Sequence, residues 1–94
     1  MKKFNWNYEK NLWLKENRGV SFEDILLYID NGYLIDDMLH PNQKKYPNQR
    51  IMIVNIDNYI YIIPYVETKT ERFLKTIIPS RKATKKYLGD NNEQ

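Results

Sequence analysis

The chain of 94 residues contains no cysteine and a single histidine, His40. The absence of cysteine excludes a disulfide framework, thiol catalysis and thiolate metal sites, and a lone histidine argues against a transition-metal site. No apolar run is long enough to cross a membrane, and the N-terminus has no recognisable signal peptide. The sequence therefore predicts one cytoplasmic domain over residues 1–94 without a metal or cofactor, with flexible ends at residues 1–3 and 90–94.

The net charge of +3 is unevenly distributed along the chain. Residues 19–43 contain five acids and no lysine or arginine. Residues 69–86 contain seven basic residues and a single acid, Glu71. A basic C-terminal quarter is typical of proteins that bind nucleic acid or an acidic segment of a partner, although a solvated lysine-rich surface has the same composition.

The N-terminal residues predict a short extended segment followed by a helix. Phe4 and Trp6 alternate around a polar residue, as in a short strand or an extended arm. Asn7 is a favourable N-cap for a helix that continues through Glu16, and Gly19 is a favourable left-handed terminator.

The second predicted helix has the strongest boundary signals in the chain. Ser21 is its predicted N-cap, and Asp24 stands three residues later, as in a weaker form of the capping box. Asn31 and Gly32 end the helix. Its apolar residues form one stripe, which predicts a buried face: Phe22, Ile25, Leu26 and Ile29.

A strand and a long loop follow. Residues 33–39 are predicted to form the strand, in which the adjacent Asp36 and Asp37 point to opposite faces. This alternation argues against a shared metal or acid–base site at the two carboxylates. Residues 40–48 form a polar loop with a proline near each end, and such loops on a rigid sheet often carry function.

Residues 49–66 predict a β-hairpin folded on Asp57 and Asn58, which tolerate the positive φ of a two-residue turn. This turn sets the pairs across the hairpin: Ile56 with Tyr59, Val54 with Tyr61, Met52 with Ile63, and Arg50 with Tyr65. One face of the hairpin is nearly all aliphatic and consists of Ile51, Ile53, Asn55, Ile60, Ile62 and Pro64. We expect the two N-terminal helices to pack on this face. The opposite face carries three tyrosines and an arginine, and the pattern leaves open what covers it.

The C-terminal quarter predicts a strand at residues 73–78, interrupted by Lys75, and then a short basic helix. Ser80 is the predicted N-cap of this helix, which ends at Gly89. Together the elements predict an α+β fold, in which two N-terminal helices pack on a mainly antiparallel sheet of about four strands.

Two groups of residues stand near the ends of the chain. The first comprises an F-x-W opening and a G-V-x-F-E helix cap: Phe4, Asn5, Trp6, Lys10, Asn11, Lys15 and residues 19–23. The second is a strand-to-helix joint, K-T-I-I-P-S-R-K-A, at residues 75–83. In these features the chain resembles the BrnT family of bacterial toxins, within the wider RelE/ParE-like group. Arg18, Pro79 and Tyr87 depart from the family pattern.

The resemblance implies the toxin of a type II toxin–antitoxin pair, which stops translation by cleaving RNA without a metal ion. It also implies a cognate antitoxin, of the ribbon-helix-helix type, that covers the toxin. Operator DNA is then bound only through the antitoxin complex.

Metal-independent RNA cleavage requires a base for the 2′-hydroxyl, cations for the phosphorane and an acid for the leaving 5′-oxygen. Arg50 and Arg81 are the predicted phosphate-binding catalytic residues, because a guanidinium binds phosphate bidentately. With the resemblance, the face of the hairpin that carries the tyrosines and Arg50 is the predicted RNA surface, flanked by the loop of His40 and the basic last helix. His40 and Lys45 are the predicted groups for proton transfer. The residues predicted to contact RNA are Lys44, Tyr61, Tyr65, Lys75, Lys82 and Lys85.

Several of these residues also have a structural interpretation. Tyr61 and Tyr65 suit half-buried sheet packing, Lys75 suits a sheet edge, and lone loop histidines are usually surface residues. Two other functions are compatible with the sequence. One is a non-catalytic module that binds an antitoxin segment or DNA, and the other is a gyrase-directed toxin with the same fold.

Overall fold

The computed structural model describes residues 2–89, which fold as three helices and one mixed sheet. The helices are α1 (Tyr8–Arg18), α2 (Phe22–Asp30) and α3 (Arg81–Leu88). The strands are β1 (Lys3–Trp6), β2 (Leu34–Leu39), β3 (Gln49–Ile56), β4 (Tyr59–Glu67), β5 (Glu71–Leu74) and β6 (Ile78–Pro79). The predicted α+β class is confirmed, although the sheet has six strands rather than about four.

The strand order is β1-β5-β4-β3-β2, and β6 pairs with β4. All paired strands are antiparallel except β1 and β5. The segment of Phe4 and Trp6 is therefore a strand rather than a free arm. Lys3, which was predicted to belong to a flexible end, is the first residue of β1 and pairs with Glu71. Met1 and residues 90–94 lie outside the described residues.

The helix boundaries follow the predicted caps. The Asn7 side chain accepts a hydrogen bond from the backbone N–H of Lys10 (2.8 Å), and Gly19 closes α1 with a φ of 67°. Ser21 and Asp24 form both hydrogen bonds of a capping box at the start of α2. Helix α1 extends slightly beyond its predicted end.

The predicted hairpin register is confirmed. All four predicted pairs of β3 and β4 are present, including Arg50 with Tyr65. Asp57 and Asn58 have φ values of 53° and 66°, as a type I′ turn requires. The hairpin is thus set by local turn chemistry, and the other strands are added to its two edges.

The predicted position of the N-terminal helices, on the aliphatic face, is wrong. Helices α1 and α2 cover the face that carries the tyrosines, where Leu14, Phe22 and Ile25 are buried together with Met52 and Tyr65. The prediction reserved the tyrosine face for a substrate. A tyrosine ring is apolar, however, and only its hydroxyl needs a polar partner, so a face with tyrosines can be a core face.

Helix α3 covers the aliphatic face instead. Ile53 and Ile60 form a second buried cluster with Ala83. The buried Thr84 fixes the helix to the sheet, because its hydroxyl accepts a hydrogen bond from the Ile60 N–H (2.9 Å) and donates one to the Ser80 carbonyl (2.7 Å). The short basic helix therefore has a defined position on the sheet.

Residues from the first part of the chain meet one another and the C-terminal quarter in the structure. Trp6 stacks on Phe22, with ring centroids 5.4 Å apart. The buried side chain of Asn11 accepts a hydrogen bond from the Phe22 N–H (2.8 Å). The Arg18 guanidinium donates to the carbonyl of Ile77. These contacts hold α1 and α2 against the sheet, so the residues that make them belong to the frame of the fold.

The strand predicted at residues 73–78 is interrupted. β5 ends at Leu74, and β6 begins at Ile78 on the same edge of β4. Between them, Lys75 donates its backbone N–H to the Pro64 carbonyl (2.8 Å), and Ile77 is fully buried. The interruption therefore places Ile77 in the core while the Lys75 side chain remains exposed.

Truncation of Phe22 tests the packing of α2 on the sheet. Phe22 is 0% exposed, and Phe22→Ala is expected to lower the free energy of unfolding by about 3–5 kcal/mol. Leu27 on the same helix is 60% exposed, and Leu27→Ala is expected to change the free energy of unfolding by less than about 0.5 kcal/mol. Urea denaturation measures both values, and equal losses would contradict this packing.

Candidate functional site

Arg50 is the centre of a polar cluster that joins three strands. Its Nε donates to the Tyr65 hydroxyl (3.0 Å) and to Asp37 Oδ1 (3.3 Å), and its Nη2 donates to the backbone carbonyl of Asp37 (3.3 Å). The Tyr65 hydroxyl also donates to Asp37 Oδ1 (2.6 Å). Because β2, β3 and β4 each supply one residue, the cluster ties together the strand ends next to residues 40–48.

Tyr65 belongs to the core as well as to this cluster. Its side chain is fully buried, and this burial, followed by the hydrogen bond with Asp37, raises the pKa of its hydroxyl to about 12. The hydroxyl therefore stays protonated near neutral pH and donates to Asp37. The RNA-stacking role predicted for Tyr65 is wrong, because the buried ring offers no face to a base.

Asp37 is the polar residue that sequence reasoning set aside. The two neighbouring carboxylates do diverge, because Asp36 is exposed and accepts a hydrogen bond from the Asp37 N–H (2.8 Å), whereas Asp37 contacts Arg50. Leu39 pairs with Arg50, and Asp37 stands two positions before it, on the same face. The β2–β3 register would have revealed this contact, but the long loop between the strands leaves that register open.

The loop of residues 40–48 is folded on itself. His40 Nδ1 accepts a hydrogen bond from the Asn42 N–H (3.0 Å), and its ring lies 4.4 Å from the ring of Tyr46. The Lys45 ammonium lies 5.4 Å from the centroid of Tyr46. Because Nδ1 is an acceptor, the neutral imidazole carries its proton on Nε2.

A groove of about 230 Å³ lies between α3 and the aliphatic face of the sheet. Its floor is apolar, and its rim carries Lys82 and Lys86 from α3 and Pro41 from the loop. The full lining consists of Met38, Pro41, Ile51, Ile53, Ile62, Ser80, Lys82, Ala83, Lys86 and Tyr87. It contains two lysines and no acid, so its charge favours an anionic ligand.

The predicted site residues are divided between the two faces of the sheet. Arg50 and Tyr65 lie on the face covered by α1 and α2, and Tyr61 is half-buried against the same core. Arg81 is exposed at the start of α3, which covers the opposite face. The prediction that Arg50 and Arg81 share one substrate surface is wrong, because strand alternation directs the Arg50 side chain away from α3.

The other predicted residues lie in the loop of residues 40–48, on α3 and after β5. His40, Lys44 and Lys45 belong to the loop that reaches the groove through Pro41. Arg81 and two lysines are exposed on α3: Lys82 and Lys85. Lys75 is exposed, with its ammonium 5.8 Å from the centroid of the Phe73 ring.

Two further findings concern metal-binding groups and membrane-spanning helices. Among residues 2–89, no three His, Cys, Asp or Glu side chains are grouped as a metal ion would need. Within the same range, no helix has the length and apolar character required to cross a membrane.

The chain was compared with known protein families, characterised proteins and solved structures, and none of them matches it.

Alkaline pH tests the buried hydroxyl of Tyr65. Its pKa in the folded protein, about 12, lies above its ordinary value of 10.0. The unfolded chain therefore releases this proton at a lower pH than the folded protein does. The contribution of the Tyr65 hydroxyl to the free energy of unfolding is complete below pH 10 and is expected to decline as the pH rises towards 12. In Tyr65→Phe this decline should be smaller. Urea denaturation across this interval compares the two proteins, and an identical pH dependence would contradict the assignment.

Proposed function

We propose that the protein is the toxin of a bacterial type II toxin–antitoxin pair. In this proposal it acts in the cytoplasm as a metal-independent endoribonuclease that inhibits translation. The observation that carries the proposal is that α3 and the loop of residues 40–48 meet at one groove with two lysines and no acid. A cognate antitoxin of the ribbon-helix-helix type would cover this surface, and operator DNA would be bound only through that complex.

The groove has the two features that a single RNA strand requires. Lys82 and Lys86 stand on its rim, where ammonium groups can pair with consecutive phosphates. The half-buried Tyr87 and the apolar floor provide a surface on which an unstacked base can rest. This combination favours single-stranded RNA over a folded duplex, whose bases are already stacked.

Arg81 and the loop would supply the chemistry beside this groove. Arg81 is exposed in the first turn of α3, where the helix dipole adds to its charge, so it suits the phosphorane. Lys45 is a second cation, held near the Tyr46 ring. Because the Asn42 N–H occupies Nδ1 of His40, Nε2–H is its remaining donor, and it would donate a hydrogen bond to the leaving 5′-oxygen, which takes its proton from water.

Arg50 takes a structural role in this proposal. Its guanidinium is already engaged by Asp37 and Tyr65, and its side chain is only 32% exposed. Removal of Arg50 would leave Asp37 and the Tyr65 hydroxyl without their common partner. Its loss would therefore act on stability rather than on cleavage.

A non-catalytic binding module is the second candidate, and the apolar floor of the groove favours it. Met38, Ile51 and Ile53 would receive the apolar side chains of an amphipathic antitoxin segment equally well. A gyrase-directed toxin would use the same surface for a protein target. Both alternatives predict that the purified protein leaves RNA intact.

The cleavage assay uses purified protein, freed of any antitoxin, with single-stranded RNA in EDTA. The proposal predicts RNA fragments. Arg81→Ala is expected to lower the cleavage rate roughly tenfold to a hundredfold, because a charge-assisted hydrogen bond to phosphate contributes about 1.5–3 kcal/mol.

Lys15→Ala is the control, because it removes a cation from α1, on the other side of the sheet, and should leave the rate unchanged. Thermal unfolding checks that each variant folds. Intact RNA with the wild-type protein, or an Arg81→Ala variant that cleaves at the wild-type rate, would contradict the proposal. RNA that is bound but remains intact would favour the binding module.

A further inference from the structure

A second cavity lies away from the α3 groove, between α2, β1 and the start of β5. It measures about 790 Å³, which is within the range of small-molecule sites. Phe4, Leu26 and Ile29 are half-buried and form its apolar walls. Its charged lining residues are Lys2, Lys69, Arg72 and Asp30. Three cations from separate parts of the chain thus line the cavity together with apolar side chains and one acid, while Glu67 lies beside Lys2 and Arg72 outside the lining.

Arg72 is incompletely paired inside the protein. The Lys2 ammonium donates to Glu67 Oε2, whereas Arg72 Nε lies 3.7 Å from the same oxygen, beyond hydrogen-bond distance. Arg72 Nε is buried and has no hydrogen-bond partner among residues 2–89. The Arg72 side chain is nevertheless 35% exposed, so its guanidinium has donors available to an anion at the cavity.

Lys69 and Phe4 complete the arrangement. Lys69 is exposed in the β4–β5 turn and lines the cavity. The Arg72 guanidinium lies 5.8 Å from the centroid of the Phe4 ring. A planar guanidinium beside an aromatic ring is a surface on which nucleic-acid bases stack, and the neighbouring ammonium group suits a phosphate.

We propose that this cavity binds a nucleotide, with the phosphate held by Lys69 and Arg72 and the base against Phe4. Asp30 would accept a hydrogen bond from a ribose hydroxyl or a base amino group. The same carboxylate disfavours a simple polyanion, which would meet its charge. This site goes beyond the proposed RNA cleavage, because α2 and α3 lie on opposite faces of the sheet.

An acidic peptide is the competing ligand, and the edge of β1 argues against it. A peptide that enters beside β1 would add a strand by pairing with its free backbone groups. The Trp6 N–H, however, is already bonded to the side chain of Asn5 (2.9 Å). With this donor occupied and Asp30 repelling acidic side chains, strand addition is the weaker alternative.

The test is a titration of the isotope-labelled protein with each of the four nucleoside monophosphates, followed by NMR amide shifts. Inorganic phosphate and a hexaglutamate peptide are titrated in parallel. The expected result is shifts at residues 2–4, 26–30 and 69–72, with a nucleotide affinity at least roughly tenfold above that of phosphate. A tetranucleotide of RNA is titrated as well. If it binds more tightly than the mononucleotides, the cavity takes a nucleotide of an RNA strand; if it binds less tightly, the cavity takes a free nucleotide.

Variants assign the binding to the cavity. Lys69→Gln is expected to weaken nucleotide binding roughly tenfold, through the loss of one charged contact with phosphate. Lys3→Gln is the matched control, because Lys3 precedes Phe4 in β1 and points to the other face of the sheet. Phe4→Leu should weaken nucleotide binding while leaving phosphate binding unchanged.

Three results would overturn the proposal: equal affinity for phosphate and nucleotide, equal losses in Lys69→Gln and Lys3→Gln, or tighter binding of hexaglutamate at these residues. The titration requires no RNA cleavage. A protein that binds nucleotides here yet leaves RNA intact would contradict the proposed ribonuclease alone, and one that cleaves RNA without these shifts would contradict only the nucleotide site.

Discussion

The β3–β4 hairpin is apolar on both faces, and the positions of the other elements depend on this constraint. A strand pair of this kind needs a cover on each side. Helices α1 and α2 cover the face of Met52 and Tyr65, and α3 covers the face of Ile53 and Ile60. Charged groups are therefore left with helix surfaces, loops and strand ends. The basic surface at α3 and residues 40–48 follows directly from this arrangement.

The same constraint gives Arg50 and Arg81 different surroundings, although both carry the same guanidinium group. Arg50 lies at the margin of a buried face, where Asp37 and the Tyr65 hydroxyl satisfy its donors. Arg81 is exposed at a helix N-terminus with no acid in the first turn. The sequence predicts Arg50 as a phosphate binder because it lies on a tyrosine-rich face. Its hydrogen bonds to Asp37 and Tyr65 instead make it a link between three strands. The partners of a charged group, rather than its type, decide its role.

Local chemistry explains which parts of the fold were predictable. The caps at Asn7 and Ser21 and the turn at Asp57 depend on a few neighbouring residues, and each was predicted correctly. The face chosen by α1 and α2, the parallel pairing of β1 with β5, and the contact of Asp37 with Arg50 depend on residues far apart in the chain. A period-two pattern defines two faces of a strand, but it does not say which helix covers each.

The central claim is that RNA binds on the α3 side of the sheet. It is tested most directly by the amide shifts that a non-cleavable 2′-deoxy oligonucleotide produces in the labelled protein. The largest shifts are expected at residues 40–48 and 80–87, with Asp37, Arg50 and Tyr65 little changed. Shifts centred on Arg50 and Tyr65, with α3 unaffected, would contradict it.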